Sequence, residues 1–158
     1  MSTSTAYAAT TNLIAAIESQ SAAKSQDNFV FGIMRGEPID NWAVDDGIYI
    51  AKVDRTIARN EMSGNSVGAL REDYVIVVEI AVFRGGDTVN AGDTTSAHEL
   101  RCWNLINAVE SAIRADRTLG GAVPDAWPET STMISEWDPE NMGRRARSTV
   151  NVHCWAFI

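Results

Sequence analysis

Residues 74–83, Tyr-Val-Ile-Val-Val-Glu-Ile-Ala-Val-Phe, are β-branched or aromatic at almost every position. That composition favours an extended strand. Side chains of a strand alternate between its two sides. Tyr74, Ile76, Val78, Ile80 and Val82 therefore share one face, and Val75, Val77, Glu79, Ala81 and Phe83 the other. Both sets are mostly apolar, so both faces call for cover. The rest of the chain, or another molecule, has to supply it.

Two segments read as helices. From residue 6 to about 24, Ala6, Ala9, Leu13, Ala16 and Ile17 recur at three- and four-residue spacing, the pattern of an amphipathic helix. Its many Ser and Thr side chains compete for backbone groups and weaken it. The second helix opens on Ser96 with Glu99 three residues on, a capping box. Cys102, Leu105, Ile106, Val109, Ala112 and Ile113 form its apolar stripe, with Arg101, Asn104, Ser111 and Arg114 opposite. It stops at Leu119-Gly120-Gly121, where glycine provides a left-handed cap.

Four further strands are expected. Residues 29–34 form a short one, ended by Arg35-Gly36-Glu37-Pro38, and a loop bearing Trp42 leads to a strand from 48 to about 58. Residues 60–72, with two Gly, two Asn and two Ser, read as a long mobile connection. After the central strand, Gly85-Gly86-Asp87 opens a polar loop. Residues 130–137 and 146–158 make a terminal hairpin about a turn at 138–143, with Val150, Val152, Cys154, Ala156 and Ile158 on one face. The expectation is one α+β domain over 1–158: a mostly antiparallel sheet of four to five strands with two helices packed on one face.

Composition removes several classes. A chain of 158 residues builds one core that buries roughly 68–70% of its unfolded surface. Two cysteines are too few for a disulfide scaffold. No apolar run approaches the about 18 residues of a membrane span, and residues 1–5 lack the basic and apolar regions of a secretory leader. A net charge of −8 with pI near 4.7 argues against broad attraction to nucleic acid or anionic lipid.

No spacing specifies catalysis. His98 and Cys102 share a helix face, but His153 and Cys154 are strand neighbours pointing to opposite sides, so the four cannot surround one ion. Cys102 lies within an apolar stripe, where cysteine packs as a small hydrophobe. There is no nucleophile elbow or phosphate loop, and the glycine pairs read as tight turns. Neither a catalytic residue, a metal nor a cofactor is expected.

Glu79 interrupts the most apolar strand and calls for a basic partner on a neighbouring strand or subunit. Arg144, Arg145 and Arg147 follow Glu136, Asp138 and Glu140, a compact alternation of sign suited to a solvated hairpin or a charged subunit contact. Two helices cover one face of a sheet and leave Val75, Val77, Ala81, Phe83, Trp155 and Phe157 short of cover. Such a patch is a liability on a monomer. The expected subunit interface therefore comprises Glu79, Phe83, Arg144, Arg145, Arg147 and Trp155.

The segment Ala112-Ile113-Arg114-Ala115-Asp116-Arg117-Thr118-Leu119-Gly120-Gly121-Ala122-Val123 resembles the end of the second helix in the phage tail terminator (tail completion) proteins. There a pattern A-x-x-x-D-P-T-L-G-G-x-V follows a long central strand and precedes a C-terminal hairpin. The order of elements from about residue 48 onward matches, as does the N-terminal helix; Arg117 stands where the pattern has proline. The resemblance implies a homo-oligomeric ring, a hexamer, that caps the tail tube, ends tube polymerisation and docks the tail to the head or neck. Its partners would be the tail tube protein and a neck or head-completion protein, its location the virion, and it would need no cofactor. The loops carrying Ser63, Asn65 and Val67, and Asp87, Val89 and Asn90, become candidates for contacting tube or neck. Negative charge would suit a lumen through which DNA passes without specific binding. A head-closure or head–tail joining protein is the nearest rival, and a small-ligand enzyme or binding domain the rival of another class.

Overall fold

The computed structural model describes residues 4–26, 28–38, 44–59, 70–85 and 91–158, leaving aside the side chains of 91–96. The order is α1 (Ala6–Glu18), β1 (Phe31–Arg35), β2 (Asp46–Arg59), β3 (Leu70–Gly85), α2 (Ala91–Ala115), β4 (Asp125–Asp138) and β5 (Gly143–Phe157). One five-stranded sheet has the order β1-β2-β3-β5-β4. β1 runs parallel to β2 and every other pair is antiparallel. The fold is α+β, with two helices on one face of a mostly antiparallel sheet.

The alternation in β3 decides where the core lies. Tyr74, Ile76, Val78, Ile80 and Val82 are each at most 1% exposed. They meet Leu13 and Ile17 of α1, the α2 stripe from Cys102 to Ile113, and Val150, Val152 and Cys154 of β5 in one cluster. On the other face Val75, Glu79, Ala81 and Phe83 are only half-buried and Val77 alone is buried. Among the described residues no helix lies against that face.

Several boundaries differ from expectation for physical reasons. α1 ends at Glu18, not near 24, as its Ser-rich continuation turns into short backbone-bonded turns at Gln20 and Ala23. α2 begins at Ala91, so Ser96 lies inside the helix and is not its cap. Leu70, Arg71 and Glu72 belong to β3 and not to a connection, because they pair with Arg59, Ala58 and Ile57. β4 starts at Asp125; a register shift between Pro128 and Thr130 accommodates the prolyl residue, which cannot donate to a ladder. Arg101, expected on the outer side of α2, is 3% exposed. Trp42 lies outside the described residues.

The Asp116–Gly121 loop shows what its residue types do. α2 closes at Ala115, and Leu119, Gly120 and Gly121 then take φ of 48°, 69° and 80°. The Asp116 carboxylate accepts bonds from the Thr118 amide (2.9 Å), the Thr118 hydroxyl (2.6 Å) and the Gly120 amide (2.7 Å). Those bonds, the Thr118 hydroxyl first, hold it below the usual carboxylate range. Asn12 of α1 donates to the Leu119 carbonyl at 2.7 Å, and a Cβ at Gly120 would sit 2.8 Å from that same amide nitrogen. The loop thus fastens α1 to the end of α2. Arg117 is turned outward and pairs with Asp125 at 2.6 Å.

Gly143, at the start of β5, is needed for a different reason. A Cβ there would run into the Phe83 ring and sit 2.6 Å from the Arg84 carbonyl oxygen. The ring can turn, but the carbonyl cannot retreat without opening the β3–β5 ladder. Gly143→Ala is expected to lower stability by about 1–3 kcal/mol, seen as a fall of several degrees in the thermal midpoint. Its cross-strand partner Gly85, where a Cβ meets nothing nearer than 3.8 Å, should accept alanine almost unchanged.

Candidate functional site

The uncovered face of the sheet is the surface on which most of the expected interface residues converge. Alternation along β5 sends Arg145, Arg147, Thr149, Asn151, His153, Trp155 and Phe157 outward, while Ala146, Ser148, Val150, Val152, Cys154 and Ala156 are buried beneath the helices. Pairing sets Phe83 opposite Arg145, Ala81 opposite Arg147 and Glu79 opposite Thr149. Glu79, Phe83, Arg145, Arg147 and Trp155 therefore share the open face. Arg144 does not: it lies opposite Arg84 in register, on the helix side, with its guanidinium 5.8 Å from the Trp137 ring centroid.

The arginines of this face are paired within the protomer. Arg145 bonds Asp138 at 2.7 Å and Arg147 approaches Glu136 at 3.1 Å, both across the β4–β5 hairpin. The sign alternation read in the sequence is thus a pairing of two strands. Asp138 is held below its ordinary range chiefly by the Asn141 side chain and amide. Glu79 accepts the Thr149 hydroxyl at 3.0 Å, where a basic partner was expected. Opposite Glu79 stands Tyr49, whose hydroxyl is pushed up by burial first and by the Glu79 charge second.

At the other end of the face the aromatic residues gather. His153 stacks on Trp127 with centroids 4.6 Å apart, and its ring nitrogens lie 3.5 Å from Asp73 and 3.9 Å from Glu129. Arg71 pairs with Asp73 at 2.8 Å and covers the Trp155 ring at 5.0 Å, and Trp155 meets Phe157 edge-on. With the arginines of the face already paired, what it offers a neighbour is largely apolar: half-buried Val75, Phe83 and Trp155, and Phe157 at 52% exposed.

The six loop candidates Ser63, Asn65, Val67, Asp87, Val89 and Asn90 lie outside the described residues. The thiols are elsewhere. Cys102 and Cys154 are both free and buried, and burial pushes each up to about 12. His98 is buried too, with its Nε2 2.7 Å from the Ser135 hydroxyl. His153 and Cys154 face opposite sides of β5, as the alternation requires. Because the thiolate is the reactive form, Ellman's reagent at pH 8 should label neither cysteine of the folded protein within minutes and both in denaturant. Fast labelling of the folded chain would contradict this burial.

Sequence reasoning missed two buried ionic groups. Asp46, 0% exposed, accepts Arg84 Nη1 at 2.5 Å and Nη2 at 3.1 Å, and Arg101 Nε at 2.7 Å. Arg84 also lies 3.7 Å over the Phe29 ring, and Arg101 donates to the Ala22 and Lys24 carbonyls at 2.8 and 2.6 Å. Glu72, also 0% exposed, accepts the Thr5 amide (2.7 Å), the Thr5 hydroxyl (2.6 Å), the Ser4 hydroxyl (3.0 Å) and Arg55 Nε (2.6 Å). The signal was parity. Glu72 and Arg84 extend the even-numbered series 74–82 in both directions and belong to its buried side.

Among the described residues no three His, Cys, Asp or Glu side chains form a group able to hold a metal ion. No described helix is long and apolar enough to cross a membrane. The chain matches no protein-family model and no curated protein sequence.

Proposed function

We propose that this chain is a subunit of a homo-oligomeric ring at the end of a phage tail, a tail terminator that caps the tube, ends its polymerisation and docks the tail to the neck. The observation that carries the reading is the open face of the sheet. Helices cover the middle of one face, and the other combines ion pairs made within the protomer with half-buried Val, Phe and Trp side chains, a surface suited to being buried by a neighbour. Closed rings are built from heterologous contacts, in which one patch meets a different patch on the next subunit. The face is unlike itself from end to end, aromatic at Trp155 and charged at Arg145–Asp138, as such a contact needs.

The Asp116–Gly121 loop adds support of another kind. The residues that resemble the tail terminator pattern are those that end α2 and fasten it to α1, so the likeness falls on a working joint of the fold. The role is structural, without catalysis, cofactor or membrane, and with DNA passing the lumen unbound.

Incubation with purified tail tubes and, separately, with filled capsids tests the reading. A terminator binds tube ends and stops further addition of tube protein. Binding to capsid portals in preference to tubes would assign the chain instead to head closure or head–tail joining. Strong, selective thermal stabilisation by a metabolite, with no binding to either particle, would favour a small-ligand domain.

A further inference from the structure

The two edges of the sheet are complementary. β1 covers β2 only from Asp46 to Ile50. Among the described residues, no strand lies on that side of β2 over 51–59, most of which is exposed. A groove lined by Ala6, Tyr7, Gly36, Ile50 and Val53 opens at the start of this free stretch. At the opposite edge, β4 pairs only with β5 among the described strands, and its residues 129–136 are exposed except for half-buried Met133. From Thr130 to Ser135 the run Thr-Ser-Thr-Met-Ile-Ser has no charge and no proline. Natural edges are normally protected by charge, proline or a covering element, because a bare edge recruits another strand.

From these edges we infer that β4 of one copy adds to the free stretch of β2 of the next copy, continuing the sheet from subunit to subunit. This deepens the ring reading and rests on it. Direction follows from symmetry. Three antiparallel steps separate β2 from β4 in the protomer, so the two strands run oppositely, and rotation about an axis roughly along the strands keeps them so. The joint is antiparallel, the more stable ladder.

Charge selects the register. Glu129 and Glu136 bound the uncharged run of β4, and Lys52 and Arg59, at the same seven-residue interval, bound the free stretch of β2. Setting Thr132 opposite Thr56 places Glu136 opposite Lys52, both on the open side, while Glu129, in the β4 bulge, falls near the end of β2 at Arg59 without a regular pair. It also keeps the pleat in phase, since Thr132 and Thr56 both occupy the open side, opposite Thr149 and Asp73 in their own ladders. Slipping two residues one way sets Glu136 against Asp54, a repulsive pair. The present partners, Lys52–Asp54 and Arg147–Glu136, are exposed surface pairs and can exchange at small cost. The joined runs are offset along the strands. Arg55 lies across the sheet from Tyr74, Cys154 and Ala126, whereas Thr132 lies across from Thr149, Glu79 and Tyr49. Repetition of that offset tilts the strands against the ring axis, the condition for closing a sheet on itself.

Cysteine cross-linking of the full chain tests the joint. The Thr56→Cys/Thr132→Cys double variant, oxidised at a concentration where the protein is oligomeric, should give a non-reducing ladder at multiples of 17.2 kDa. The Asp54→Cys/Thr132→Cys control, out of register, should give little, and the buried native cysteines stay silent. Glu136→Lys should weaken assembly roughly fivefold, with Lys52→Glu in the same chain restoring it. Oligomers that form without the cross-link overturn the strand joint while leaving the ring reading in place. Cross-linked dimers from Thr132→Cys alone overturn it in favour of β4 meeting its own copy. A chain that stays monomeric overturns both.

Discussion

Asp46→Ala is expected to be the most damaging single substitution in this protein. The carboxylate is fully buried between Arg84, 7% exposed, and Arg101, 3% exposed. Removing it leaves two guanidinium groups facing each other out of water with no anion between them. Breaking a buried pair in this way costs about 3–5 kcal/mol, a large part of the roughly 5–15 kcal/mol that holds a domain together. The thermal midpoint should fall by about 10 °C, or the chain should fail to accumulate. Arg101→Met is the informative companion. It keeps the Arg84–Asp46 pair at one-to-one charge while losing the Arg101 bond to Asp46 and those to the Ala22 and Lys24 carbonyls, so it should cost less than Asp46→Ala, with no charge left unpaired. An Asp46→Ala midpoint within 2 °C of the parent would mean that the triad contributes nothing.

The second large effect is at Glu72. Its carboxylate joins the first turn of α1 to β3 by accepting bonds from Ser4, Thr5 and Arg55. It also places negative charge at the positive end of the helix. Glu72→Ala should cost about 3 kcal/mol and loosen α1 first, visible as faster amide exchange in residues 6–10. Burial alone would raise this carboxyl, but the Thr5 hydroxyl and amide, Arg55 and Ser4 outweigh it and hold it below the ordinary 4.5. A group with a lowered folded value stabilises fully above its unfolded value and loses that contribution as pH falls toward the folded one. The stability of the parent should therefore drop with acidification below about pH 4.5. Glu72→Gln, which keeps the shape without the charge, should be less stable at pH 7 and show a shallower acid slope. Equal slopes for the two proteins would place the acid sensitivity elsewhere.

These two sites mark where the sequence was legible and where it was not. Periodicity located the core correctly, since the even series of β3 and the stripe from Cys102 to Ile113 depend on local repeats of two and of three to four. Two charged residues of those same elements, Arg101 and Glu72, depart from expectation. Arg101 was placed outward because arginine rarely lies fully buried unless paired, and its partner Asp46 is 55 residues distant. Glu72 was placed in a connection because residues 60–72 carry loop composition, yet its backbone continues the ladder. The hairpin arginines show the converse. Their alternation with Glu136 and Asp138 was visible, but only the register revealed that Arg145 and Arg147 face one way and Arg144 the other. Pro128 concealed the first residues of β4, because a bulge can absorb a proline that a regular ladder cannot.

A ring requires that the open face and the two free edges be filled by further copies of the chain. Negative-stain imaging of the purified protein, with mass photometry of the same sample at micromolar concentration, measures this directly. Closed rings with a central hole and one dominant mass at a whole multiple of 17.2 kDa are expected. A single species at the mass of one chain, with no rings in the images, would contradict the ring reading.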